Sequence, residues 1–285
     1  MPRQVSIPIN LIRAFNYANQ HIAPGSEADN VTQVVDSVIG LHSARLPTPF
    51  VTLLSRVSDF RPKDLIEDVY VSRKMVKLRC MRRTLHIVNL EMAPVVHQAT
   101  LRQRLSEFSI VHKLVDLDCR NTIRERIVDL VSRTPLSSDG IVNEFIRAKW
   151  ISAAHDRTRI IKAVLKELWE DGTLCYINAS QDWSGEKRKY GCTSHLYPTL
   201  VLSSIPEQDA QKQLIEHYIR KFGPVTEGDI SWWTGLGKKR VREIVNSLGN
   251  RLVSLRVSSF HDTYYIFESS FDVLRNVVWS DEPWV

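Results

Sequence analysis

The chain has 285 residues, of which 43% are hydrophobic and 25% are charged, a composition that is typical of folded globular proteins and excludes extensive disorder. A formal net charge of +6 favours a polyanionic partner, although many basic proteins bind no nucleic acid. No apolar run approaches the roughly 20 residues of a membrane span, and the N-terminus lacks a signal-peptide core, so we expect a cytoplasmic, nucleoid-associated protein without a membrane partner.

The first part of the chain, residues 1–115, has the pattern of several helices followed by a hairpin. Apolar spacing and breakers predict these elements in order. The helices are near Leu11–His21, Val31–Ala44 and Pro49–Arg56, and the strands are near Val76–Arg79 and Thr84–Val88.

The second part, residues 116–205, repeats this order. Helices are predicted for 134–150 and for the segment leading to Gly172, with strands at 173–178 and 189–193. The polar turn between these strands is a candidate DNA-binding wing. It offers Trp183 as a side chain to fill the gap left by an extruded base, and Lys187, Arg188 and Lys189 as phosphate contacts. An exposed turn of this kind equally suits a tryptophan that packs on its own domain.

The third part, residues 206–285, has the clearest signals. Thr226 and Asp229 have the spacing of a capping box, and Gly235 and Gly237 separate a short helix from a second helix at 238–248. This is the spacing of a helix-turn-helix, and a strand pair follows it. The second helix has one buried apolar stripe and a separate polar face formed by Lys239, Arg242 and Asn246. That face is either a DNA-contacting surface or an ordinary solvated one.

Three units of helices and a hairpin predict a mainly α fold with small β-hairpin wings, organised as tandem winged-helix domains. No metal site, disulfide framework or cofactor is indicated, because the four cysteines are scattered without a CxxC pair. These residues are Cys80, Cys119, Cys175 and Cys192.

Three segments of the chain resemble a known family, the winged-helix DNA glycosylases of the AlkZ and YcaQ type. They are Ile39–Phe50 (IGLHSARLPTPF), Met81–Val88 (MRRTLHIV) and Gly223–Gly235, which ends in WWTG. The resemblance covers nearly the whole chain. It implies a C-shaped clamp around double-stranded DNA, followed by a small C-terminal barrel. Only Phe271–Val285 follows the third unit, so we expect that barrel to be short or reduced.

The family places Gln-x-Gln or Gln-x-Asp, the residues held to position or activate water, where this chain has His42, Ser43 and Ala44. Hydrolysis of an N-glycosidic bond needs a group that orients water and an acceptor near the cationic sugar. Ala44 supplies neither, whereas an imidazole can accept a proton or hold water. The alternative is that His42 is a polar residue at the end of a helix. Asp36 would not share a helix face with it.

The candidate catalytic residues are therefore His42, Ser43 and, from the second segment, His86. Arg82 and Thr84 beside His86, together with Arg45, are predicted DNA contacts, although a simple strand role suits Thr84 equally well. Neutral His86 could hydrogen-bond a flipped base or a phosphate.

We predict a monomeric, monofunctional DNA glycosylase that leaves an abasic site, since no lysine stands out as a Schiff-base nucleophile. The resemblance implies alkylated purines or bulky adducts as substrates. Because His42, Ser43 and Ala44 replace the family motif, modified bases such as those of phage DNA are further candidates. The roles considered are DNA repair, self-resistance and phage defence. The alternative function is a non-enzymatic winged-helix DNA-binding protein or transcription regulator. A nuclease is a weaker interpretation, because no pair of closely spaced carboxylates resembles a two-metal site.

Overall fold

In the part of the chain that the structure describes, three small β-sheets lie among helices that make up most of the regular structure, and helices pack against each sheet. The computed structural model describes residues 5–108, 116–150, 155–180, 185–258 and 260–277. Within these ranges, no helix is long and apolar enough to cross a membrane.

The first region contains a sheet with the strand order β2-β4-β3 and the helices around it. Its elements are β1 (Val5–Ile7), α1 (Ile9–Asn19), α2 (Val31–Ser37), β2 (Leu41–His42), α3 (Thr48–Leu54), α4 (Pro62–Ile66), β3 (Met75–Arg79), β4 (Leu85–Asn89) and α5 (Ala93–Leu105). Single turns of other helix types lie at Glu67–Val71, Met81–Arg83 and Ser106–Phe108.

The helix predicted for Val31–Ala44 is wrong in its second half. Helix α2 ends at Ser37, and Ile39 (φ 55°) and Gly40 (φ 113°) take left-handed conformations that turn the chain into strand β2. A Cβ atom on Gly40 would lie 2.6 Å from Val88 Cγ1, so only glycine fits this close approach. His42 is consequently a strand residue and not a helix residue.

Helix α1, predicted as part of the first unit, packs with the third unit instead. Strand β1 runs parallel to the strand Leu252–Val257 (β7), which joins the start of the described chain to the last hairpin. Ile12 and Phe15 of α1 share a core with Leu255, Ile266 and Leu274. Both ends of the described chain therefore meet in one apolar cluster.

The second region has its own core between three helices and a two-stranded hairpin. Ser137 caps the second of these helices by accepting a hydrogen bond from the Gly140 amide at 3.0 Å. The elements are α6 (Leu117–Arg133), α7 (Ser138–Arg147), α8 (His155–Glu170), β5 (Leu174–Asn178), β6 (Arg188–Cys192) and α9 (Thr193–Leu196).

The third region confirms its predicted elements. The Thr226 hydroxyl accepts from the Asp229 amide at 3.0 Å and the Asp229 carboxylate accepts from the Thr226 amide at 2.9 Å, which is the predicted capping box. The predicted stripe of Val241, Val245 and Leu248 is buried. The elements are α10 (Glu207–Phe222), α11 (Glu227–Thr234), α12 (Lys238–Leu248), a 3₁₀ turn (Gly249–Arg251), β7 (Leu252–Val257), β8 (Tyr264–Phe267) and α13 (Glu268–Arg275).

Candidate active site

Two histidines from different segments face each other across the first sheet. His42 of β2 lies opposite His86 of β4 in the antiparallel register. Their ring centroids are 5.4 Å apart and the rings stand at 84° to each other. His86 is only 3% exposed, whereas His42 is half-buried and reaches solvent. The pair therefore consists of one accessible imidazole and one buried imidazole that packs against it edge to face.

Two left-handed turns hold the histidine pair. Ile39 and Gly40 precede His42, and Arg82 (φ 51°) and Arg83 (φ 57°) precede the strand that carries His86. Left-handed conformations cost free energy in residues with side chains, above all in β-branched ones such as Ile39. Such strain persists where the surrounding structure enforces it, and it is concentrated at functional sites.

Burial and one cation keep both imidazoles neutral at physiological pH. Desolvation is the main cause that lowers the pKa of His86 to about 4. The hydrogen bond between its Nδ1 and the Thr84 carbonyl, 3.2 Å away, acts in the opposite direction and raises this pKa. Desolvation also lowers the pKa of His42 below 6.5, and the positive charge of Arg82 lowers it further. A neutral His42 keeps a lone pair that can accept a hydrogen bond from water.

Arg82 joins the first region to the third. Its guanidinium carbon lies 4.3 Å from the ring centroid of Trp232. Gly235, in the left-handed conformation that ends α11, packs on the Arg82 backbone, and a Cβ atom there would lie 3.3 Å from the Arg82 nitrogen. Two of the sequence segments singled out above, Met81–Val88 and Gly223–Gly235, thus meet in one place.

The Ser43 side chain lies on the opposite face of the sheet from that of His42, because successive side chains of a strand point to opposite faces. Its amide donates to the Leu85 carbonyl at 2.8 Å, which continues the pairing with β4. The Ser43 hydroxyl is buried, without a hydrogen-bond partner among the described residues. It lines a small cavity with Phe50, Tyr70 and Lys77. The geometry therefore brings His42 and His86 of the predicted catalytic group together and separates Ser43 from them.

Asp36 interacts with a lysine and not with the histidine pair. It is exposed on α2 and forms an ion pair with Lys221 at the end of α10. The charged group that acts on the pKa of His42 is Arg82 and not a carboxylate. In the described part of the chain, no group of three or more metal-binding side chains is found.

An ion-pair network behind the site was missed by the sequence analysis. Arg79, at the end of β3, donates from Nε to the Arg83 carbonyl at 2.6 Å and pairs with Glu170 at the end of α8. Glu170 is fully buried and also binds Arg104 of α5 at 2.8 Å. These residues are far apart in the chain, and no local pattern in the sequence marks them as partners.

The predicted DNA contacts occupy three surfaces. Arg45, Arg82 and half-buried Thr84 lie on the segments next to the histidine pair. Lys239, Arg242 and Asn246 are exposed on α12, where Arg242 also pairs with Glu227 at 3.1 Å.

The third surface is the hairpin of β5 and β6. Lys187, Arg188 and Lys189 are exposed there. The Arg188 guanidinium pairs with Glu186 at 3.0 Å and lies 4.4 Å from the Tyr176 ring centroid. Trp183, the predicted gap-filling residue, lies outside the described residues.

The site contains one group that can bind water and one that can bind an anion. The accessible imidazole of His42 can accept from water, and Arg82 can bind a phosphate oxygen. Among the described residues, the carboxylates of Asp36 and Glu170 form ion pairs with Lys221 and Arg79 and not with Arg82.

Comparison with known proteins gives two positive findings. The family model described as DNA glycosylase AlkZ-like matches residues 35–274. The structure is similar to the Streptomyces sahachiroi DNA glycosylase AlkZ, with a TM-score of 0.77 at 17% sequence identity, over 96% of this chain and 74% of that chain. No curated protein sequence matches the chain.

Proposed function

This chain belongs to the AlkZ-like family of DNA glycosylases, and we propose that it hydrolyses the N-glycosidic bond of a modified base in duplex DNA and leaves an abasic site. The observation that carries this proposal is the pair of neutral imidazoles beside a single arginine. Of the two, His42 stands at the position in the sequence where the family resemblance implies the water-activating residues, and His86 belongs to the second family-like segment, Met81–Val88.

In the proposed reaction, the bond between the sugar C1′ and the base nitrogen breaks, and positive charge develops on the deoxyribose. A water molecule attacks C1′ and loses a proton. His42 orients this water and accepts the proton, which requires the imidazole to be neutral at the start. The leaving base takes the electron pair of the broken bond. No amine nucleophile is involved, so the strand is not cut by the enzyme itself.

His86 is a positioning residue in this scheme. It is buried and touches the His42 ring edge to face, which limits rotation of the accessible imidazole. Arg82 binds a phosphate next to the modified nucleotide, since charge-assisted contacts of arginine to phosphate are strong and bidentate. Ser43 has no part in the chemistry, because its side chain points to the other face of the sheet.

For DNA binding, we propose that the three regions of helices and hairpins act as tandem winged helices that clamp the duplex as a single copy. The exposed basic residues of α12 and of the β5–β6 hairpin support this proposal. The units correspond to residues 1–115, 116–205 and 206–285, with the first strand and α1 docked on the third unit. Phosphate contacts would make DNA affinity strongly dependent on salt.

The modified base is proposed to be an alkylated purine, a bulky adduct or a phage-type modified cytosine. Histidine in place of the family's amide or carboxylate supports a substrate range that differs from that of relatives. Removal of such a base would serve DNA repair, self-resistance or defence against phage.

The test is a base-release assay with duplexes that carry each of these lesions, followed by alkaline cleavage of abasic sites. Wild type is compared with His42→Ala and with His195→Ala, a control at an exposed histidine of α9. Strand breaks that His42→Ala loses and His195→Ala retains would support the proposal. Equal breaks with all three proteins would remove His42 from the mechanism. Tight binding without breaks would instead favour a non-enzymatic DNA-binding protein.

A further inference from the structure

Trp232 presents an exposed indole at the edge of the candidate active site. Its side chain is 66% exposed although it is among the largest apolar side chains in the protein. The Arg82 guanidinium covers one face of the ring at 4.3 Å. Because most of the side chain remains accessible, the opposite face of the indole is open to solvent.

The neighbours of Trp232 hold it in this exposed position. Trp233 fills the adjacent core, where its ring stacks on Tyr218 at 4.8 Å and lies 5.8 Å from Phe222. The buried hydroxyl of Thr234 donates to the Ile230 carbonyl at 2.6 Å and fixes the following turn. The core next to Trp232 is therefore already filled by Trp233, and the Trp232 indole remains at the surface.

Arg82 connects this indole to the histidine pair. The charge of Arg82 lowers the pKa of both His42 and His86, so the guanidinium lies within electrostatic range of both rings while it contacts Trp232. Gly235 packs on the Arg82 backbone and fixes the distance between the two segments. Trp232 and the histidine pair are therefore both neighbours of the same guanidinium, that of Arg82.

We propose that Trp232 stacks on the modified base when this base is extruded from the duplex, and thereby contributes to substrate selection. The inference rests on the proposed glycosylase function. An enzyme that acts on a base in duplex DNA takes it out of the base stack, and aromatic side chains then hold it. Stacking is sequence-tolerant because every base has a π-face, so Trp232 favours bases with a large planar surface.

The competing explanation is that Arg82 and Trp232 form only a structural cation–π pair. The chain contains a matched pair for comparison, Trp150 and Arg126, with a guanidinium-to-ring distance of 4.2 Å. Trp150 is 40% exposed, packs edge to face on Phe145 and lies among residues of the second region. If cation–π packing explains both pairs, replacement of either tryptophan will have the same effect on DNA.

The experiment uses duplexes with 2-aminopurine in a mismatch, where the weakened pairing favours extrusion, and full-length wild type, Trp232→Ala, Trp232→Phe and Trp150→Ala. Fluorescence reports whether the extruded base is stacked, and polarisation reports affinity. We expect Trp232→Ala to raise the fluorescence of the bound probe several-fold and to weaken binding about 5- to 150-fold. Trp232→Phe should lose less, and Trp150→Ala should match wild type.

Fluorescence and affinity that are unchanged in Trp232→Ala would overturn the inference, and so would an equal rise in fluorescence and loss of affinity in Trp150→Ala. If Trp232→Ala does not fold, Trp232→Met keeps apolar volume without a ring and serves in its place. Base release is measured on the same proteins with a hydrolysable lesion. Inactive wild type would refute the proposed function, whereas active wild type with an equally active Trp232→Ala would refute only the role of Trp232.

Discussion

The Nε atom of Arg79 donates a hydrogen bond of 2.6 Å to the backbone carbonyl of Arg83, in the left-handed turn that carries Arg82. The same guanidinium pairs with Glu170 of α8. The second region of the protein thereby fixes the turn that places Arg82 beside the histidine pair.

Replacement of Arg79 by lysine should slow the chemistry more than it weakens DNA binding. Lysine keeps the charge next to Glu170 but cannot donate to two partners in the fixed geometry of a guanidinium. We expect the single-turnover rate of base release at saturating enzyme to fall about tenfold or more, since small displacements at a reacting centre are costly. The affinity for DNA should change about threefold or less, because substitutions away from specific contacts usually have small effects.

The control for this variant is Arg124→Lys. Arg124 pairs with Asp171 at 2.6 Å, directly after α8, but makes no contact with the Arg82 turn in the described structure. Equal rates in Arg79→Lys and Arg124→Lys would contradict a positioning role for Arg79.

Replacement of Glu170 by glutamine should destabilise the protein strongly. It leaves the buried guanidinium of Arg104 without its anion, and loss of one member of a buried ion pair costs about 3 to 5 kcal/mol. Asp129→Asn breaks an exposed pair with Arg133 and should cost about 1 kcal/mol or less. Urea unfolding of the two variants and wild type measures the difference. Similar midpoints for both variants would show that Glu170 does not contribute as described.

Base release should decline as the pH falls through the pKa of His42. This pKa lies below 6.5, first because of desolvation and second because of Arg82, and only the neutral ring accepts a proton. The rate of base release should therefore be independent of pH near pH 7 and fall at lower pH. An N7-methylated purine is the suitable substrate, because its leaving group is already cationic and needs no protonation.

The variant Arg82→Met should move this acid limb to higher pH. Removal of the positive charge raises the pKa of His42 towards 6.5, while the effect of burial remains. The quantity to compare is the midpoint of the pH–rate profile at saturating enzyme, since the rate itself also depends on phosphate binding. Identical midpoints in the two proteins would contradict the assignment of the acid limb to His42.

Replacement of Gly40 by alanine should cost more than about 2 kcal/mol of stability, because the new Cβ would clash with Val88 at a positive φ. Gly185→Ala is the control, since a Cβ there meets no atom within 4 Å and should change stability by about 0.5 kcal/mol or less. Thermal or urea unfolding gives both values. Equal stabilities would show that the turn before His42 has room for a side chain.

The sequence alone determined those elements whose signals are local. The capping box of Thr226 and Asp229, the apolar period of α12 and the strands of the last hairpin were predicted correctly, because each depends on residues a few positions apart. His42, His86 and Arg82 were named from the family resemblance. Their spatial arrangement was not contained in any local pattern.

Tertiary structure decided how these residues meet. Helix α2 ends early because Gly40 must pass close to Val88, 48 residues later in the chain, and this contact makes His42 a strand residue opposite His86. Strand pairing then turns Ser43 to the other face of the sheet. Packing between distant segments brings Trp232 onto Arg82 and the buried Glu170 onto Arg79. Contacts of this kind leave no periodic signal in sequence, since they depend on the packing of whole elements and not on neighbours in the chain.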